Sequence, residues 1–155
     1  MTTNTSNLIQ NLSKPTDNTP LMILLNFISF GMYNAFYLKS QSEVVNEYVT
    51  EYNKISKTLM NSVILTSVLH LYMVMVDFFG GLSSSLIVID NLVTLSYLIT
   101  MTVLSFTVRN RFNTLIDAEG GYVPKMNGFF VFLFGAFYIN YKIRSINNSF
   151  LRVGE

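Results

Sequence analysis

The chain has 155 residues, of which 50% are hydrophobic and only 12% charged, and its mean hydropathy is +0.40. Soluble domains carry about 25% charged residues, so this composition argues against an ordinary soluble domain and, equally, against a polar disordered chain. A net charge of +1 excludes nucleic-acid binding by bulk electrostatics, and the lack of Cys excludes a disulfide scaffold, a zinc finger and a thiol nucleophile. One histidine, His70, is too few for a multi-histidine metal site. The class left is a small all-α integral membrane protein, with no cofactor and no metal expected.

Residues 1–20 are rich in Thr, Asn and Ser and contain Pro15 and Pro20, the pattern of a flexible polar tail. They lack the basic start and small-residue cleavage site of a secretory signal. The rest, 21–155, reads as a single polytopic membrane domain. Its first apolar segment, 21–38, is interrupted by Asn26, Gly31 and Asn34. Residues 39–57 predict an amphipathic helix: Glu43, Glu47 and Glu51 recur every four residues, and Val44, Val45, Tyr48, Val49, Tyr52 and Ile55 cover much of the remainder. Three aligned carboxylates are expected to form a solvated face rather than a metal site, because no second cluster accompanies them.

None of the ten Lys and Arg residues falls in the 51 positions from Thr58 to Val108. A helix crosses the hydrocarbon core with about 20 apolar residues, so the window holds two crossings and a short turn. Asp77–Ser84, with Gly80-Gly81 and the first two of three consecutive serines, supplies the turn. A transmembrane helical hairpin is therefore predicted over 58–76 and 85–108. Lys54 and Lys57 flank its start, and Arg109 and Arg111 flank its end. The positive-inside rule puts both flanks on the cytoplasmic type of face and the Gly-Gly turn on the other.

Residues 117–124 form a turn-rich connection, and Gly120-Gly121 lacks the Lys-Ser/Thr of a phosphate loop. The last apolar segment, about 127–141, is short for a span: from Gly128 to Tyr141 it covers about 21 Å. It also resembles the first. Aligned on Gly31 and Gly135, both read Phe-Gly, an aromatic two residues on, a Tyr six residues on, and then Lys39 or Lys142. Tyr37 with Lys39, and Tyr141 with Lys142, are expected to anchor at the membrane interface, with the ring at headgroup depth and the ammonium in water.

Two layouts follow. In one, four segments span, dividing the Lys and Arg residues six to four between the two sides. In the other, the hairpin spans twice, both outer segments re-enter, and all ten basic residues share one side. Base rates favour the first; charge and the short last segment favour the second. Inside the basic-free window the groups that need a partner are His70, Asp77 and Asp90. Folding the hairpin about Gly80-Gly81 sets His70 opposite Asn91 and beside Asp90, which predicts a hydrogen-bonded polar pair inside the membrane. Its sharper version is a proton or ion path with His70 as relay. Ser62, Thr66, Ser67, Thr94, Ser96 and Thr100 add hydroxyls whose ordinary role is to bond back to their own helix. No nucleophile with both a base and an orienting group is legible, so no enzyme and no catalytic residues are expected.

The stretch Phe27-Ile28-Ser29-Phe30-Gly31-Met32-Tyr33-Asn34-Ala35-Phe36-Tyr37-Leu38-Lys39 resembles the opening of a family of small bacterial multi-pass membrane proteins of unknown function. That opening reads roughly Gly-Ile-Tyr-x-x-(Tyr/Phe)-Trp. The family's Tyr-x-x-Tyr-Lys-Ile closing segment is similar to Tyr138-Ile139-Asn140-Tyr141-Lys142-Ile143. Met32 stands for Ile, Tyr37 for Trp and Arg144 for a closing Asn. The resemblance implies a multi-pass protein, with four hydrophobic segments, of the bacterial inner membrane; organellar and viral membranes stay open. It carries no catalytic residues. The function expected is a non-enzymatic structural or interaction component of a membrane assembly, partnered by the lipid bilayer and by its own copies or other membrane subunits. The alternative is an ion- or proton-conducting or holin-like oligomer.

Overall fold

The computed structural model describes residues 10–11, 18–81, 83–118 and 124–153, with side chains as far as Asn148. Most of the tail expected over 1–20, and residues 119–123 of the turn-rich connection, lie outside them. The described secondary structure is helical: α1 (Thr19–Ile28), α2 (Met32–Tyr48), a 3-10 turn (Glu51–Asn53), α3 (Lys57–Gly80), α4 (Ser84–Ala118) and α5 (Gly128–Val153). Three stretches, Glu51–Gly80, Ser84–Ala118 and Gly128–Asn148, are long and apolar enough to cross a membrane, which marks the chain as a membrane protein.

The first apolar segment is two helices rather than one. Pro20 starts α1, where its missing N–H leaves no bond unmade. The helix closes with Gly31 N–H donating to Asn26 O (2.9 Å), while Phe30 and Gly31 take φ of 49° and 91°. That wrapped end, with left-handed residues, stops a helix and turns the chain. Ser29 Oγ then accepts from Tyr33 N–H (2.9 Å) to start α2. The turn is a reversal. Asn11, ahead of α1, donates to the Tyr48 hydroxyl at the far end of α2 (2.5 Å). A continuous helix would hold residues 37 apart on the order of 55 Å from each other.

The last segment breaks at the glycine aligned with Gly31. Gly135 has φ 49° and ψ −124°, a conformation open in practice to glycine alone. The chain doubles back there. The Tyr138 hydroxyl accepts from Asn127 N–H (3.2 Å), and the Phe130 and Tyr138 rings stack at 5.4 Å. In a straight helix the first pair would lie about 16 Å apart along the axis. Thus α5 has a short arm, 128–134, and a long arm, 136–153. Asn140 on the long arm donates to Thr19 at the start of α1 (3.4 Å).

Both loops beside the hairpin are fastened in the same way. Asn46 donates to Ile55 O (3.0 Å) and accepts from Ile55 N–H (2.7 Å). Asn113 does the same to Met126, at 3.0 and 2.8 Å. Each clasp buries the apolar residue it holds, and the next residue, Ser56 or Asn127, accepts an N–H in the first turn of the following helix. Arg111 on α4 donates to Asn53 of the first loop (3.0 Å) and Arg109 to Met126 O of the second (2.9 Å), so both loops are tied to the same stretch of α4.

The core lies toward that part of α4. Leu38, Val45, Met60, Val63, Leu104 and Phe112 are buried there with Ile139 and Ile143 of the long arm. Among the described residues, none from 74 to 96 is buried. The half of the hairpin nearest Gly81 is therefore only thinly covered: Val74, Val76, Asp90, Val93 and Thr94 are half-buried and its other described residues are exposed.

Several expected boundaries move. The amphipathic helix foreseen over 39–57 belongs to α2, which starts at Met32 and ends at Tyr48, because the Asn46 clasp needs an extended Lys54–Ser56. Glu51 therefore leaves the row of Glu43 and Glu47 and pairs with Lys54. The hairpin helices run longer than 58–76 and 85–108: α3 continues through Gly80, and α4 continues to Ala118.

Candidate functional site

Halfway along α3 and α4 a polar seam replaces the apolar contacts on either side. Thr66 and Thr100 share a hydrogen bond at 2.9 Å, and His70 Nδ1 lies 3.2 Å from Thr94 Oγ1. The His70 ring stacks flat on Tyr97, with centroids 5.0 Å apart and planes 4° from parallel. The Tyr97 hydroxyl donates to Gly31 O (3.0 Å), in the reversal between α1 and α2. A Cβ on Gly31 would collide with that hydroxyl. One chain of contacts therefore runs from the histidine of α3 through α4 to the break in the first outer segment. The second break also abuts α4, with Gly135 facing the Ser105 hydroxyl.

Helix periodicity builds the seam. Thr66 and His70 are one turn apart on α3, and Thr94, Tyr97 and Thr100 recur every three residues on α4. Both hydroxyls also lie within reach of carbonyls of their own helices; with one hydrogen each, one donates across the seam while the other donates back to its own helix, which satisfies both in an apolar setting. His70 Nδ1 meets the Thr94 hydroxyl, and whether it donates or accepts depends on the ring's tautomer. Two further buried acceptors, Asn26 Oδ1 and Asn34 Oδ1, have no hydrogen-bond partner among the described residues. They flank the α1–α2 reversal at equal distance from Phe30.

The expected partners of His70 are displaced. Folding about Gly80-Gly81 pointed to Asp90 and Asn91, but the hydrogen bond goes to Thr94, one turn further on. The cause is the turn itself. Gly80 stays helical and α4 starts at Ser84, which moves the fold axis by about one and a half residues and the pairing by three. Asp90 is half-buried on the same face of α4, and Asn91 is exposed. Sequence reasoning missed Tyr97. The signal was its spacing, three residues from each of Thr94 and Thr100.

The four interface anchors separate. Tyr141 is exposed, as an anchor requires, and Lys142 half-buried. Lys39 is half-buried, with Glu43 at 4.0 Å. Tyr37 is 4% exposed and packs in the core, because α2 turns that face inward toward its neighbours. Among the described residues, no three His, Asp or Glu side chains gather as a metal site would require. No family model, no curated protein and no solved structure matches the chain, so the resemblance of its opening and closing segments rests on those residues alone.

Proposed function

We propose that the protein crosses its membrane twice, through α3 and α4, and dips into it twice more from a single side, through α1–α2 and through the arms of α5. Four contacts support this layout. Asn11 reaches Tyr48, Thr19 reaches Asn140, Asn127 reaches Tyr138, and Arg111 ties the first loop to α4 through Asn53. Each returns a segment to the end where the basic flanks lie. All ten Lys and Arg residues then share one face, the strongest bias the positive-inside rule can take.

In that frame the protein works as a non-enzymatic interaction component that assembles through its hairpin. The observation that carries this is the thinly covered half of the hairpin. Among the described residues from 74 to 96 none is fully buried, and Asn91 lies there exposed. Asn91 is seven residues past Ser84, about 10 Å into the membrane. Lipid tails cannot hydrogen-bond an amide, so such groups are met by another helix, and a second copy supplies one at equal depth. Gentle detergent extraction followed by sizing and mass spectrometry tests this. The expected particle contains more than one chain and falls toward the monomer in Asn91→Leu. A monomer in the mildest detergent would contradict it.

A second reading, a proton- or ion-conducting oligomer, is favoured by the His70–Thr94 and Thr66–Thr100 contacts. Proton flux into vesicles carrying the protein, abolished by His70→Ala, would establish it over the first. Equal flux in the variant would end it.

A further inference from the structure

A cleft of about 440 Å³ opens between the C-terminal half of α2 and the start of α3, within the size range of small-molecule sites. We propose that it holds the headgroup of a phospholipid bearing both a phosphate and a primary ammonium. The proposal rests on the reading above, in which Lys57, the first residue of the apolar helix α3, marks the membrane surface.

Three lysines line the cleft, Lys39 from α2, Lys54 from the loop and Lys57 from α3, together with Glu43 and Glu47. Lys57 makes no ion pair among the described residues. Lys54 is held by Glu51, which lies outside the lining, and the nearest carboxylate to Lys39 is Glu43 at 4.0 Å. With those pairs made, one cation, Lys57, and one carboxylate, Glu47, are left without an ion pair among the described residues, and a zwitterionic headgroup matches them with its phosphate and its ammonium. Basic side chains beside membrane helices take lipid phosphates. The start of α3 adds N–H groups without helical partners and the positive end of its dipole.

The two glutamates set the rest of the headgroup. They are one turn apart on α2, and both are exposed. They repel a second negative charge and accept hydrogen bonds from an ammonium. A choline headgroup has no N–H to give, and a glycerol headgroup has no positive charge.

The cleft also has a path for acyl chains, which a free phosphate would leave empty. Phe36 lies one turn before Lys39 and Leu65 one turn after Asn61, each on the lining face of its helix and each further along the apolar direction. They are 49% and 61% exposed. Met60, buried, closes the floor.

The test uses the full chain, delipidated in a non-ionic detergent, with thermal stability titrated against short-chain phosphatidylethanolamine, phosphatidylcholine, phosphatidylglycerol and inorganic phosphate. The expected result is tightest binding of the ethanolamine lipid, weakened about tenfold by Lys57→Gln, as loss of one charge-assisted bond implies. Glu47→Gln should narrow the preference for ethanolamine over glycerol. Equal binding of all three lipids, an equal response to inorganic phosphate, or unchanged binding by Lys57→Gln would each overturn the proposal. The assay does not depend on which helices cross a bilayer, so its failure leaves the topology standing, and thiol labelling tests the topology by itself.

Discussion

Gly31→Ala should destabilise the protein by an amount that can be built from two terms. Gly31 holds φ at 91°, and moving a residue with a Cβ into left-handed backbone costs about 1–2 kcal/mol. The new methyl also collides with the Tyr97 hydroxyl, displacing the ring and breaking its bond to Gly31 O, a loss of about 1 kcal/mol. The sum is about 2–3 kcal/mol. At about 2–4 °C per kcal/mol for chains near this length, thermal unfolding in detergent should fall by about 4–12 °C. Two controls separate the terms. In a Tyr97→Phe background the hydroxyl collision and the hydrogen bond are gone and a ring carbon is left 3.1 Å from the new Cβ, so adding Gly31→Ala should cost mainly the backbone term, about 1–2 kcal/mol. Gly80→Ala, at a helical position with open space around its Cβ, should be neutral or stabilising by up to about 1 kcal/mol. A Gly31→Ala protein as stable as the Gly80→Ala control would refute both the reversal at Phe30-Gly31 and the docking of Tyr97 on it.

Other consequences follow from the same geometry. Gly135→Ala should oppose the second reversal at a strain of about 1–3 kcal/mol, and a spin-label pair at residues 127 and 138 should read a longer distance in the variant than in the parent. Asn46→Ala and Asn113→Ala each leave one loop N–H and one loop carbonyl without the clasp and should each cost about 1–3 kcal/mol. The clasps hold different loops, so chemical denaturation of the double variant should show a near-additive loss. His70→Ala and Thr94→Val should each destabilise mildly. Their double-mutant cycle should give a coupling of about 0.6–1.7 kcal/mol, the range for hydrogen bonds between membrane helices, whereas the same cycle with Asp90→Asn in place of Thr94→Val should give none.

The two central apolar helices were legible because their signal is an absence. A 51-residue window without Lys or Arg has few readings other than two apolar helices, and α3 and α4 fill it. The breaks in the outer segments were half legible. The aligned Phe-Gly pairs mark the places where both chains leave helical geometry. Composition does not say whether a helix interrupted by glycine continues or returns. That is decided by long-range contacts such as Asn11 with Tyr48 and Asn127 with Tyr138. The partner of His70 was misjudged for a local reason. Gly80 and Gly81 are the same residue type, yet one stays helical and the other takes φ 69°. Tyr37 shows a third limit. A Tyr two residues before a Lys fits a headgroup anchor, but the rotation of α2 about its axis is set by packing along its whole length, and it turns that ring into the core.

The layout of two spans and two re-entrant segments is tested most directly by thiol labelling in intact membranes. The chain has no cysteine of its own, so single cysteines can be placed at Ser6, Ser83 and Ser149 and probed with a membrane-impermeant reagent. Labelling of Ser83→Cys from one side, and of Ser6→Cys and Ser149→Cys from the other, is the predicted result. Labelling of Ser6→Cys or Ser149→Cys from the same side as Ser83→Cys would contradict it.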